Sequence, residues 1–184
     1  MPDISKSRIL IMASDGFEQS ELLVPLEKLK AAGARVEVAT PDNQPIKGWN
    51  QKDWGQTVKS DVAIDDVSAD AYDALVLPGG QINPDVLRLN EKAVALVRDF
   101  ASANKVVAAI CHAPWLLVEA GLAAGREMTS YHSIKTDVKN AGATWVDMEV
   151  VVDDGIITGR APDDLPAFVA KIIEEIEEGR HSRK

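Results

Sequence analysis

The sequence holds one cysteine in 184 residues, Cys111, so no disulfide can close within the chain. That excludes a stapled secreted scaffold and makes a reducing cytoplasm the expected compartment for a free thiol. Positive charge is scarce too: 20 Lys and Arg stand against 29 Asp and Glu, a formal net charge of -9. A nucleic-acid partner is not expected, because neutralising phosphates takes a basic face. The one basic cluster, Arg180, His181, Arg183 and Lys184, reads as a solvated tail. No apolar run approaches the ~20 residues of a membrane span, and Met1 to Arg8 is polar where a secretory leader is apolar. Neither a membrane segment nor a leader is expected. The histidines His112, His132 and His181 lack zinc-type spacing, and one cysteine builds no thiolate cluster, so no metal is expected. Gly79-Gly80 is neither a phosphate loop nor a dinucleotide fingerprint, and no cofactor is expected.

What remains is an ordinary globular composition, 46% hydrophobic and 27% charged, at a length that suits one domain over residues 1–184. Short β-branched runs alternate with helical stretches, the pattern of an α/β protein whose sheet is covered on both faces. Strands are predicted at Arg8 to Ala13, Arg35 to Thr40, Ala74 to Leu77 and Val106 to Ile110, and a hairpin about Asp154-Gly155. Glu18 to Ala32 reads as a helix with Leu22, Leu23, Leu26 and Leu29 near one face. A second helix is predicted from Pro84 with Asn83 as its cap, and a last one opens at Pro162. Residues 41–60 break the rhythm with Pro41, Pro45, Gly48 and Gly55, and read as an excursion or hairpin. Its Trp49 and Trp54 are expected to cover the core or a subunit contact rather than a ligand.

Cys111 follows an apolar strand and precedes a helical stretch. In an open α/β sheet, ligands bind beyond the carboxyl ends of the strands. A nucleophile on such a turn is held out of the sheet, and the following helix is expected to lower its pKa. The plain alternative is a buried small hydrophobe. His112 can carry protons beside it or be an ordinary hydrogen-bonded histidine. Glu18, just after the first strand, is a candidate carboxylate partner or else an exposed first-turn glutamate. Gly79 and Gly80 can bring backbone N–H groups to an oxyanion or simply make a tight turn. The convergence of all four at strand ends favours a site.

Asp15-Gly16-Phe17-Glu18, Leu77-Pro78-Gly79-Gly80, Ala108-Ala109-Ile110-Cys111-His112 and Pro162-Asp163-Asp164-Leu165-Pro166-Ala167-Phe168 together resemble the PfpI (intracellular protease I) family. That family lies within the superfamily of the Parkinson-associated deglycase. The resemblance runs in order from Arg8 to about Glu178. It implies a flavodoxin-like three-layer sandwich with a mostly parallel central sheet. It implies Cys111 as the elbow nucleophile, Glu18 as its carboxylate partner, His112 as acid and base, and oxyanion donors at Gly80 and the His112 N–H. Family members are homo-oligomers, dimers or hexamers. In protease-like members a Glu after the Gly-Gly motif reaches the partner's Cys-His pair, and Asp85 stands at the matching position, one methylene shorter. Ala113, His132 and Gly159 also depart from the family's usual Gly, Pro and Ser, and the last two are expected at the pocket rim.

Three activities follow. The first is a stress-protective enzyme acting on reactive carbonyls, glyoxalase-like or deglycase-like. The second is a cysteine peptidase or amidase. The third is a redox sensor or holdase with no turnover, since an exposed reactive thiol oxidises readily.

Overall fold

The computed structural model describes residues 3–179, so the basic tail lies outside the described residues. In chain order the strands and helices are β1 (Arg8–Met12), α1 (Gln19–Ala31), β2 (Arg35–Thr40), β3 (Ile46–Asn50), β4 (Asp53–Val58), β5 (Val62–Ala63) and β6 (Ala74–Leu77). Then come α2 (Ile82–Leu87), α3 (Glu91–Ser102), β7 (Val106–Ile110), α4 (Pro114–Glu119), β8 (Glu127–Met128), α5 (Lys135–Asn140) and β9 (Thr144–Trp145). The chain closes with β10 (Val150–Asp153), β11 (Ile156–Gly159) and α6 (Leu165–Glu178). A seven-stranded sheet runs in the order β10-β11-β7-β6-β1-β2-β5, parallel throughout except for the β10–β11 hairpin. This is the α/β, flavodoxin-like sandwich expected from the sequence.

Strand periodicity divides the core into two. Leu10, Met12, Leu75, Leu77, Val107 and Ala109 point to one face and pack against α3, α4 and α5. Ile9, Ile11, Val76, Ala108 and Ile110 point to the other, against Leu22 and Leu29 of α1 and Phe168 and Ile172 of α6. Burial on both faces explains why these strands read as continuous apolar runs rather than alternating ones.

Strand order reverses at β1: the chain leaves β1 towards β2 and returns on its other side as β6. The crevice beyond the carboxyl ends at this reversal is where a ligand fits. Two local features differ from the sequence reading. The second helix starts at Ile82 rather than Pro84, and Asn83 is no cap but a buried tie. Its Oδ1 accepts the Ser14 N–H at 2.7 Å, while its Nδ2 donates to the Pro78 and Gly79 carbonyls at 2.9 and 3.2 Å. The loops after β1 and β6 are thereby joined. The second feature is the 41–60 excursion, which is indeed an antiparallel hairpin, β3–β4. It lies over the start of α1 through Lys47 O accepting from Gly16 N–H (2.8 Å) and Phe17 O accepting from Trp49 N–H (2.7 Å).

Candidate active site

Cys111 leaves β7 with φ at +64°, a left-handed conformation that costs a residue with a side chain of order 1–3 kcal/mol. The surroundings enforce it: the Cys111 N–H donates to Gly159 O at 3.0 Å, and its carbonyl accepts from Tyr131 N–H at 2.8 Å. The turn aims the sulfur into the crevice while leaving the residue 6% exposed. Backbone N–H groups of Gly80 and His112 reach the sulfur.

The Gly-Gly turn has to be glycine for reasons of space. A Cβ on Gly79 would sit 2.6 Å from Glu21 Oε2 and 2.7 Å from Cys111 Cβ. On Gly80, at φ +81°, it would strike the Gly16 carbonyl oxygen and the Glu18 nitrogen. The two glycines divide their duties. The Gly79 N–H donates to Glu21 Oε2 at 2.8 Å, so only the Gly80 N–H, with that of His112, faces the sulfur. Gly79 is therefore a packing and anchoring residue rather than the oxyanion donor expected from the sequence.

The carboxyl beside the thiol is Glu21, not Glu18. Glu21 is fully buried on the first turn of α1, with Oε1 lacking a well-formed hydrogen bond although the thiol is within the carboxyl's reach. Burial pushes its pKa up to about 8, opposed by the Gly79 N–H. Glu18 caps the same helix through its backbone and stands half-buried on the cleft wall, its carboxyl also raised by burial. The strand exit marks Glu18 and not Glu21, which lies three residues into the next element. The usable signal was periodicity: Glu21 shares the buried stripe of Leu22, Pro25 and Leu29, where a carboxylate has no business without a partner.

The expected low thiol pKa is not found. Burial, then the Glu21 carboxylate, push the Cys111 thiol up, and the N–H groups of Gly80 and His112 only partly offset them. The helix invoked to lower it, α4, is six residues long and begins three residues on. Thiol and carboxyl cannot both be anions in so small a volume, so the pair retains at least one proton near neutrality.

His112 points its Nδ1 at Cys111 Sγ, 3.1 Å away, and its Nε2 at Ser133 Oγ, also 3.1 Å away. The ring stacks on Tyr131 at 4.8 Å and meets Trp115 edge-on at 5.3 Å. Burial lowers its pKa, so the ring is neutral at rest. Asp85, the candidate for reaching a partner's site, pairs with Arg88 at 3.0 Å and is more than half exposed on α2. His132 and Gly159 do not line the cleft. His132 faces Asp147 at 4.0 Å, and Gly159 backs onto Phe168 and Ile110. Ala113 is fully buried.

Above Cys111 opens a cleft of about 530 Å³ whose walls include Trp49, Tyr131, Ile82 and Pro162. Trp49 thus borders the site rather than merely covering core, held edge-to-face on Trp54 at 5.5 Å with its indole N–H donated to Gln51 O. Among the described residues no three His, Cys, Asp or Glu side chains converge as a metal site. Nor is any helix long and apolar enough to cross a membrane.

Cys111 thus stands on a left-handed turn between a Gly-Gly loop and a buried glutamate. Residues 7–175 match the DJ-1/PfpI family. The chain belongs to that family. It is 46% identical over 167 residues to a deglycase of Thermococcus kodakarensis, covering 91% of this chain and 98% of that one. Protein/nucleic acid deglycase 2 of Escherichia coli is 44% identical over 88% of this chain and 92% of its own. Among solved structures, DJ-1beta of Drosophila melanogaster superposes with a TM-score of 0.83 at 30% identity, over 94% of each chain.

Proposed function

We propose that this DJ-1/PfpI enzyme detoxifies reactive carbonyls, with Cys111 as nucleophile and a small α-oxoaldehyde, or the adduct it leaves on an amine, as substrate. The observation that carries the reading is the sulfur itself: buried, held at φ +64°, and flanked by two proton carriers at once, Glu21 and His112. The deglycase names of its relatives support the same substrate class. For methylglyoxal, the sulfur adds to the aldehyde carbon as its proton leaves, and the carbonyl oxygen becomes a hydroxyl. A proton then moves from that carbon to its neighbour, turning the hemithioacetal into a lactoyl thioester. Water cleaves the thioester, releasing lactate and restoring the thiol. All groups the sequence requires are side chains and backbone N–H groups, and the reaction needs no cofactor. The Gly80 and His112 N–H groups favour the developing oxyanion. Glu21, with a pKa near 8, both donates and accepts at neutral pH.

Amide cleavage demands more, because an amine leaves only when protonated by a well-placed acid. At the position where protease-like relatives would present a Glu to the partner's Cys-His pair this chain has Asp85, one methylene shorter, which favours carbonyl substrates over peptides. We also propose a homo-oligomer: α2 exposes Ile82 and Val86, with Leu89 just beyond it, beside the mouth of the cleft. The deciding experiment measures methylglyoxal loss and lactate formation by wild type and Cys111→Ala under reducing conditions. Turnover lost with the thiol supports the reading; full turnover in Cys111→Ala overturns it.

A further inference from the structure

Ser133 lies on the single helical turn His132–Ile134, outside every motif that marks the site, yet its hydroxyl is 3.1 Å from the far nitrogen of His112. A neutral imidazole carries one N–H, so its two nitrogens cannot play the same part. Where the thiol directs its proton at Nδ1 rather than at Glu21, Nδ1 accepts it, and the N–H is then on Nε2, directed at Ser133 Oγ. The remaining ring contacts, Tyr131 on the face and Trp115 at the edge, fix the plane but do not distinguish one nitrogen from the other.

We propose that Ser133 is a positioning residue: its Oγ accepts the Nε2–H of His112, holding the tautomer whose Nδ1 is a base towards the Cys111 thiol. In the step this allows, the S–H proton passes to Nδ1 and the bonding pair stays on sulfur, which attacks the electrophile. The Nε2–H stays on the ring throughout. Nothing is oxidised or reduced. A hydroxyl at this place, where many cysteine and serine enzymes have a carboxylate, gives the imidazolium little compensation. The ring therefore returns its proton readily to the oxygen of the adduct, as addition to a carbonyl requires. Ser133 is exposed, so water competes for Nε2 when its hydroxyl is removed, and the effect is one of degree.

The inference rests on Cys111 as the nucleophile but not on the carbonyl reading, and its test needs no substrate. In the full chain, reduced and labelled with ¹⁵N-histidine, the imidazole of His112 should show its proton on Nε2. Alkylation of Cys111 by iodoacetamide should slow about tenfold in Ser133→Ala and return to within about twofold of wild type in Ser133→Thr. The ¹⁵N signature should show a loss of the Nε2–H tautomer only in Ser133→Ala. A proton on Nδ1 in the wild type overturns the proposal even if Ser133→Ala fails to fold. So does an unchanged alkylation rate in Ser133→Ala, or a Ser133→Thr variant as slow as the alanine.

Discussion

The two edges of the parallel sheet treat polar groups in opposite ways. At the amino edge, charges are matched to fixed partners: Arg8 pairs with Glu37 at 2.8 Å and lies over the Tyr72 ring, and Asp73 accepts the Arg8 N–H at 2.8 Å. Lys105, buried there, donates to the carbonyls of Ala69 and Tyr72. At the carboxyl edge, a thiol and a carboxyl share a small space, Cys111 is held left-handed, and Glu21 Oε1 and Thr129 Oγ1 are buried without partners. The amino edge is not faultless, since Arg8 Nε is also unpartnered. The contrast still teaches that the same strands are tied down at one end so that the other can hold groups in costly states.

The sharpest break in that contrast is Cys111→Ala, which should lower turnover at least about 10³-fold while leaving the melting temperature nearly unchanged. Lactate assays and calorimetry on one preparation read both. Next comes Gly80→Ala: a Cβ at φ +81°, pressed on Gly16 and Glu18 backbone, should cost about 1–3 kcal/mol and most of the activity. A denaturant midpoint unchanged from wild type would show that the turn adapts more easily than its packing implies.

The edges should also answer pH with opposite signs. Between pH 4.5 and about 8 the folded chain holds a proton on Glu21 that the unfolded chain has released. Stability should therefore fall as pH rises across that window, by no more than ~1.4 kcal/mol per unit. Glu21→Gln should flatten the slope in melts at stepped pH. At the other edge, the Arg8 guanidinium holds the Glu37 carboxyl below its ordinary range. Its stabilisation is present above pH 4.5 and lost as pH falls through the lowered value. Glu37→Gln should cost under about 1 kcal/mol at neutral pH and nothing in acid. The smallest effect expected is Trp49→Ala, raising KM about fivefold with kcat little changed, as for a wall that holds substrate without touching the chemistry.

Much of this was legible in the sequence, and what was not has a physical pattern. The strands β6 and β7 carry their limits in apolar runs buried on both faces, and β2 in the alternation of Arg35 and Glu37 with Val36 and Val38. Cys111, His112 and Gly80 were found because strand ends and family motifs mark them. Glu21, Trp49 and Ser133 were not, because each reaches the site across the chain from an element whose local pattern says only helix, hairpin or turn. Glu21 alone left a trace, a charge on an apolar stripe. Ser133 left none: nothing about a serine in Tyr131-His132-Ser133-Ile134 reveals which ring will lie above it. The basis for Asn83 was similarly hidden, since a capping residue and a buried tie between two loops share the same side chain.

The amide of Cys111 is bonded to the carbonyl of Gly159, 48 positions later in the chain. During synthesis, then, Cys111 emerges long before the residue that fixes its backbone. Until β11 has left the ribosome and paired with β7, Cys111 lacks the bond that helps to fix its left-handed turn, and a nascent chain carries an ordinary cysteine. A truncated product that ends short of β11 would therefore release a thiol without the backbone bond that helps to hold its turn.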